Sequence, residues 1–174
     1  MNLQHCQVLD KTRENHFSNV YIPEQSNAKP EKKHILFVDS RDVQNKDSDF
    51  SYAIDIPTPY KGVKSIELKG LSFPKVYGEN YVIVDIDECK DRVESVDGGS
   101  ADRSFAVCYF DKISTGEVRP MRGADFDRKF YVFNPPLNRL GRINVRFKKY
   151  GGDVVRSEDV GSVVNHTLLF EITT

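Results

Sequence analysis

Hydrophobic residues in this chain recur at every second position. Phe50, Tyr52, Ile54 and Ile56 alternate with Ser51, Ala53 and Asp55, and Ile143, Val145 and Phe147 alternate with Asn144, Arg146 and Lys148. His166, Leu168, Phe170 and Ile172 alternate with Thr167, Glu171 and Thr173, Leu169 being the exception. Side chains of an extended strand point to its two faces in turn, so this period commits the segments to sheets with one face buried. It predicts eight strands, near 34–40, 49–56, 62–73, 80–87, 103–111, 128–133, 141–150 and 165–173. Within the third, Ile66 and Leu68 share one face and Leu71 and Phe73 the other; a β-bulge at Gly70 would permit the slip. Phe50, Ile54, Ile66, Leu68, Val145, Phe147, Leu168 and Phe170 are expected to face inward.

No window holds a helical stripe longer than two turns. Pro57-Thr58-Pro59, Pro74, Gly98-Gly99, Pro135-Pro136 and Gly151-Gly152 punctuate the strands. The links around 88–102 and 112–127 are too long for simple hairpins, and long crossings among antiparallel strands favour a Greek key over an up-and-down barrel. The expected architecture is all-β: an eight-stranded single jelly-roll sandwich over residues 34–174. Residues 1–33 lack periodicity, carry Pro23 and Pro30, and are expected to form an N-terminal arm.

The apolar runs Ile35–Val38 and Tyr81–Val84 span four residues each, against about 20 for a membrane-crossing helix. With a polar stretch at Asp10–Glu14, this leads to the expectation of cytoplasmic synthesis without a signal peptide or transmembrane segment. Cys6, Cys89 and Cys108 are an odd number without Cys-x-x-Cys spacing, which fits free thiols in a reducing compartment. Cys108, in Phe105–Phe110, reads as a small core residue.

Enzyme templates fail in turn. Neither a Walker loop nor a dinucleotide glycine motif occurs, and Gly70-Leu71-Ser72-Phe73-Pro74 departs from a nucleophile elbow at its last position. His5, His16, His34 and His166 are scattered and form no His-x-His pair. The acidic run Asp85–Asp91, aligned as a calcium loop, has Lys90 where glycine belongs and Val96 where the bidentate Glu belongs. Asn165-His166-Thr167 matches a glycosylation sequon, read as a chance match. No enzyme, metal or cofactor is expected.

What remains is surface. Residues 79–102 hold eight acids and two bases, net −6, and residues 119–149 hold nine bases and two acids, net +7, in a chain of net charge −1. Two unlike patches can be solvated faces, or can steer like subunits together head to tail. On the second reading Asp85, Asp87 and Glu88 would meet Arg142, Arg146 or Lys148 of a neighbour, a candidate subunit interface. A nucleic-acid groove on the basic stretch is not expected, because Tyr150 is the one aromatic alternating with Arg146 and Lys148.

Several phrases, taken in order, carry a likeness: Ile-Leu-Phe-Val-Asp-Ser-Arg-Asp at 35–42, Pro-Thr-Pro-Tyr-Lys-Gly-Val-Lys-Ser-Ile-Glu-Leu-Lys-Gly-Leu-Ser-Phe-Pro-Lys-Val at 57–76, Asn134–Leu140 and Asn165–Ile172. Together they resemble the single-jelly-roll vertex, or penton, capsid proteins of nucleocytoplasmic large DNA viruses, over about residues 35–173. The resemblance implies a homopentamer at the fivefold vertices of an icosahedral virion, surrounded by a double-jelly-roll major capsid protein and other minor capsid proteins. Alternatives are another minor capsid protein under or between capsomers, and a lectin-like or receptor-binding jelly-roll module. A metal-dependent jelly-roll enzyme is disfavoured by the missing histidine pair.

Overall fold

The structure is a computed structural model describing residues 30–89, 104–110, 118–122, 125–127 and 129–174. The chain divides into two compact units, Met1–Pro30 and Glu31–Thr174. All the described strands lie in the second: β1 (Lys33–Asp39), β2 (Asn45–Ser48), β3 (Ser51–Pro74), β4 (Tyr81–Ile86), β5 (Ala106–Tyr109), β6 (Val118–Arg122), β7 (Phe126–Asp127), β8 (Phe130–Lys148) and β9 (Thr167–Thr173).

Two of these strands organise the rest. β3 is 24 residues long and β8 is 19, and they pair antiparallel with register shifts between Asp55 and Tyr60 and between Val63 and Ser65. Pro57 and Pro59 on one strand and Pro135 and Pro136 on the other lie at these breaks. Proline removes a ladder donor and fixes φ, so regular pairing lapses where the prolines sit. The sequence reading divides each long strand in two there (49–56 with 62–73, 128–133 with 141–150). The structure keeps them joined, because Tyr60–Leu140, Lys61–Arg139 and Val63–Leu137 remain paired across the break.

The result is one curled, antiparallel, nine-stranded sheet, ordered β1-β9-β3-β8-β4-β5-β7, with β2 and β6 pairing to β3 off this path. It has two limbs. The first runs from β1 through β9 and residues 65–72 of β3 to residues 130–132 of β8. The second runs from residues 51–55 of β3 through residues 142–146 of β8 to β4, β5 and β7. β2, β6 and β7 were not foreseen. β2 is Asn45-Lys46-Asp47-Ser48, exposed throughout, and β6 contains two arginines and a proline, so neither carries an alternating signal. β6 and β7 fall within the 112–127 stretch read as a link. Gly98-Gly99 and most of the 88–102 link lie outside the described residues.

All eight residues expected to face inward are buried. The slip at Gly70 is a bulge: Leu68 pairs with Phe170 and Gly70 with Leu169, leaving Lys69 as the extra residue. Ile66, Leu68, Leu71 and Phe73 therefore all reach the core. Aromatic rings join the limbs, Phe73 lying 4.5 Å from Phe147 and Phe105 6.3 Å from Phe170 between ring centres. Such pairs add about 0.5–1.5 kcal/mol beyond their buried area. Cys89 and Cys108 are both buried, and burial pushes the Cys108 thiol well up; Cys6 lies outside the described residues.

Among the described residues backbone pairing starts at Lys32, whose N–H donates to the Thr174 carbonyl at 3.1 Å and whose carbonyl accepts from Thr174 N–H at 2.9 Å. It thus reaches into residues 32 and 33, which the sequence reading gives to the arm. Glu31-Lys32-Lys33 is wholly polar, so alternation cannot mark the start of this strand. Residues 1–29 of the expected arm lie outside the described residues.

Candidate interaction surface

The outer face of the second limb gathers the charged residues singled out above. Residues 142–148 of β8 point alternately inward (Ile143, Val145, Phe147) and outward (Arg142, Asn144, Arg146, Lys148), as a half-buried strand requires. Asp85 of β4 stands opposite Arg146 in the ladder. Asp85 is 3% exposed. Its carboxylate lies 2.7 Å from Lys148 Nζ and 3.4 Å from Arg146 Nη2.

Beyond β4 a short 3-10 turn, Asp87–Cys89, brings two more acids over the same face. Asp87 accepts a hydrogen bond from the Arg146 guanidinium. Glu88 accepts from the backbone N–H of Asn144 at 2.9 Å and from its side-chain amide at 2.6 Å. Arg142 is engaged elsewhere: its Nε donates to Asp55 Oδ1 at 2.7 Å, on the β3 residue paired with it. That bond holds the Asp55 carboxyl below the usual range and raises the Arg142 pKa. Asn45 of β2 donates to the other Asp55 oxygen at 2.5 Å.

The acidic and basic stretches therefore meet within one chain. Asp85, Asp87, Glu88, Arg146 and Lys148 are paired with one another or with Asn144, and Arg142 with Asp55. Sequence reasoning placed the two groups together but expected the contact between neighbours. Asp55, Asn144 and Asn45 were missed, since only the registers of β3 with β8 and of β2 with β3 put them there. Arg142, Asn144, Arg146 and Asp87 also line a polar groove of about 480 Å³, closed on its other side by Gln44–Asp47.

The remaining candidates find structural places. His34 lies 3.2 Å from Thr174 Oγ1 and packs against Tyr60. His166 is enclosed by Phe50, Phe73, Phe147 and Tyr52. Its Nδ1 meets the Val164 carbonyl at 3.0 Å and so carries the proton, and its Nε2 then accepts from the Tyr52 hydroxyl at 2.8 Å. Burial brings its pKa down to about 4 and raises that of Tyr52. The ring is thus neutral at physiological pH. Ser72 sits within β3, paired with Thr167 and Pro120. His5, His16, Lys90, Asp91 and Val96 lie outside the described residues. Among the described residues there is no cluster of three or more His, Cys, Asp or Glu suited to a metal, and no helix long and apolar enough to cross a membrane.

No protein-family model matches this chain, and no curated protein matches it.

Proposed function

We propose that this chain is a structural capsid protein with a single jelly-roll domain, occupying the fivefold vertices of an icosahedral virion as a homopentamer. The observation that carries the reading is the pairing order. Counting β3 and β8 as two segments each, and leaving aside the short β2, β6 and β7, eight segments follow one another along the chain. They pair as first-eighth-third-sixth in one limb and second-seventh-fourth-fifth in the other. That is the order in which the strands of a jelly roll pair, with two Greek keys wound together. The ordered phrases at 35–42, 57–76, 134–140 and 165–172 add the likeness to viral vertex proteins. The fold alone is shared by lectins and cupins as well as capsid proteins.

A fivefold ring needs a heterologous contact, one surface meeting a different surface of the next copy. Asp85 and Asp87 already pair with Arg146 and Lys148 within the chain, so ring affinity is expected to draw on other surfaces as well and on the surrounding major capsid protein. The test is a particle reconstruction with the chain located in it. Five copies around each vertex are expected; density for the chain away from every fivefold axis would overturn the reading.

A further inference from the structure

β1 is the edge strand of the first limb, pairing among the described residues with β9 alone. Edge strands carry unpaired backbone groups, and folded proteins blunt them with central charges, brevity or bulges. The other described strands at the sheet margins follow that rule: β2 is polar and exposed throughout, β6 carries a proline and two arginines in five residues, and β7 has two residues. β1 does not. Its charged residues, Lys33 and Asp39, stand at its ends, and between them Ile35 and Phe37 are 59% and 62% exposed.

The hydrogen bonds fix which backbone groups face outward. Lys32 exchanges both bonds with Thr174, and Ser40 N–H donates to the His166 carbonyl, so the even-numbered residues turn their polar groups towards β9. By the alternation of an antiparallel ladder, Lys33, Ile35, Phe37 and Asp39 turn theirs to the free edge. Two such edges related by a twofold axis at Leu36 set Lys33 against Asp39 and Ile35 against Phe37. Moving the axis to Ile35 keeps the backbone phase but sets Asp39 against Glu31. Moving it to Phe37 sets Lys33 against Arg41. Like charges directly opposite are destabilising, so backbone phase, apolar contact and charge all select the Leu36 register. The Asp39 carbonyl already accepts from Asp42 N–H at 3.1 Å, which leaves the Ile35–Phe37 pairs as the firm centre of the ladder.

We propose that a second copy of this chain adds to β1 in this register, forming an isologous dimer in which the first limb continues across a twofold axis. The contact is independent of the vertex reading, because a fivefold ring uses heterologous surfaces. Sedimentation equilibrium of the full chain tests it, with Phe37→Lys, Lys33→Asp, Asp39→Lys and the double variant Lys33→Asp/Asp39→Lys. A dimer is expected for the parent, with each single variant weakening it at least about tenfold. The double variant should return to within about threefold of the parent. It loses the Lys33–Glu171 and Asp39–Arg41 bonds of its own chain, so its recovery reports on pairing between chains. Circular dichroism verifies that each variant folds. Hydrogen exchange on the unaltered chain gives a second readout: amides of Ile35 and Phe37 should gain protection on concentration. A parent that stays monomeric to about 100 µM, an oligomer indifferent to Phe37→Lys, a double variant no better than the singles, or unprotected amides would overturn the proposal. A pentamer unaffected by all four variants would overturn it while leaving the vertex reading intact.

Discussion

The second half of β8 presents two chemistries from one short stretch. Its inner residues, Ile143, Val145 and Phe147, are fully buried among rings from both limbs. Its outer residues bind the acids of β3, β4 and the turn after β4. Both faces are well connected, yet they should differ in what they contribute. Inner contacts remove apolar surface from water, at about 25 cal/mol per Å². Outer contacts exchange hydration for ion pairs, and the balance is small unless a charge is left buried without its partner.

Truncating the inner face should have the largest effect. Phe147→Ala removes a ring that touches Phe50, Tyr52, Phe73 and His166, and should cost about 3–5 kcal/mol in urea unfolding. Arg146→Ala, one residue away, should cost clearly less. Equal losses at the two positions would break the comparison.

His166 sharpens it by placing a titratable group inside the joint between the limbs. Its pKa, ordinarily 6.5, is brought to about 4 chiefly by burial, opposed in part by the Val164 carbonyl and by Asp39 and Asp49, while nearby Lys46 pushes the same way as burial. Below pH 6.5 the unfolded chain takes up a proton that the folded ring resists. Stability should therefore fall as pH drops from about 6.5 to about 4 and level off below, losing on the order of 3 kcal/mol from this group. His166→Phe should flatten that part of the curve in chemical denaturation at a series of pH values. An unchanged slope in the variant would transfer the effect to the carboxylates.

Asp85 tests the outer face where it is most like the inner one. Lys148→Ala leaves a carboxylate that is 3% exposed with Arg146 as its other cation, and should cost about 1–3 kcal/mol. Asp85→Leu combined with Lys148→Met should cost less than Lys148→Ala alone, since an apolar pair replaces a desolvated one. If the double variant is the worst of the set, the pair contributes net stability and the contrast between the faces is too sharply drawn.

How much of this was legible depends on the kind of signal. Alternation identified the inward faces of Phe50, Ile66, Val145 and Phe170, and the phase slip at Gly70 located the bulge, because burial leaves a periodic mark on the sequence. Local proline chemistry marked where β3 and β8 bend but not that they continue, since bridging pairs such as Tyr60–Leu140 depend on two distant segments. The polar β2 left no mark at all. Charge clustering brought Asp85, Asp87 and Glu88 to Arg146 and Lys148, but composition carries no information on whether such groups meet within a chain or between chains. Strand register decides that, and it also supplies Asp55 and Asn144.

The smallest effect is expected at Arg142 and Asp55. Both side chains are about half exposed, and the bond between them is well formed, with Nε 2.7 Å from Oδ1. The shifted pKa values of the two groups record that attraction, but water screens most of it and the long arginine loses rotamer freedom in forming it. Arg142→Ala should move the melting temperature by no more than about 2–4 °C. A double-mutant cycle with Asp55→Ala should show a coupling that shrinks further as salt is raised. Asn45 would still hold Asp55 in place, so the groove between β2 and β8 should keep its shape while losing one wall charge. A large, salt-insensitive coupling would mean that the outer end of the ladder is as desolvated as Asp85, and the gradient along β8 from exposed Arg142 to half-buried Lys148 would have to be redrawn.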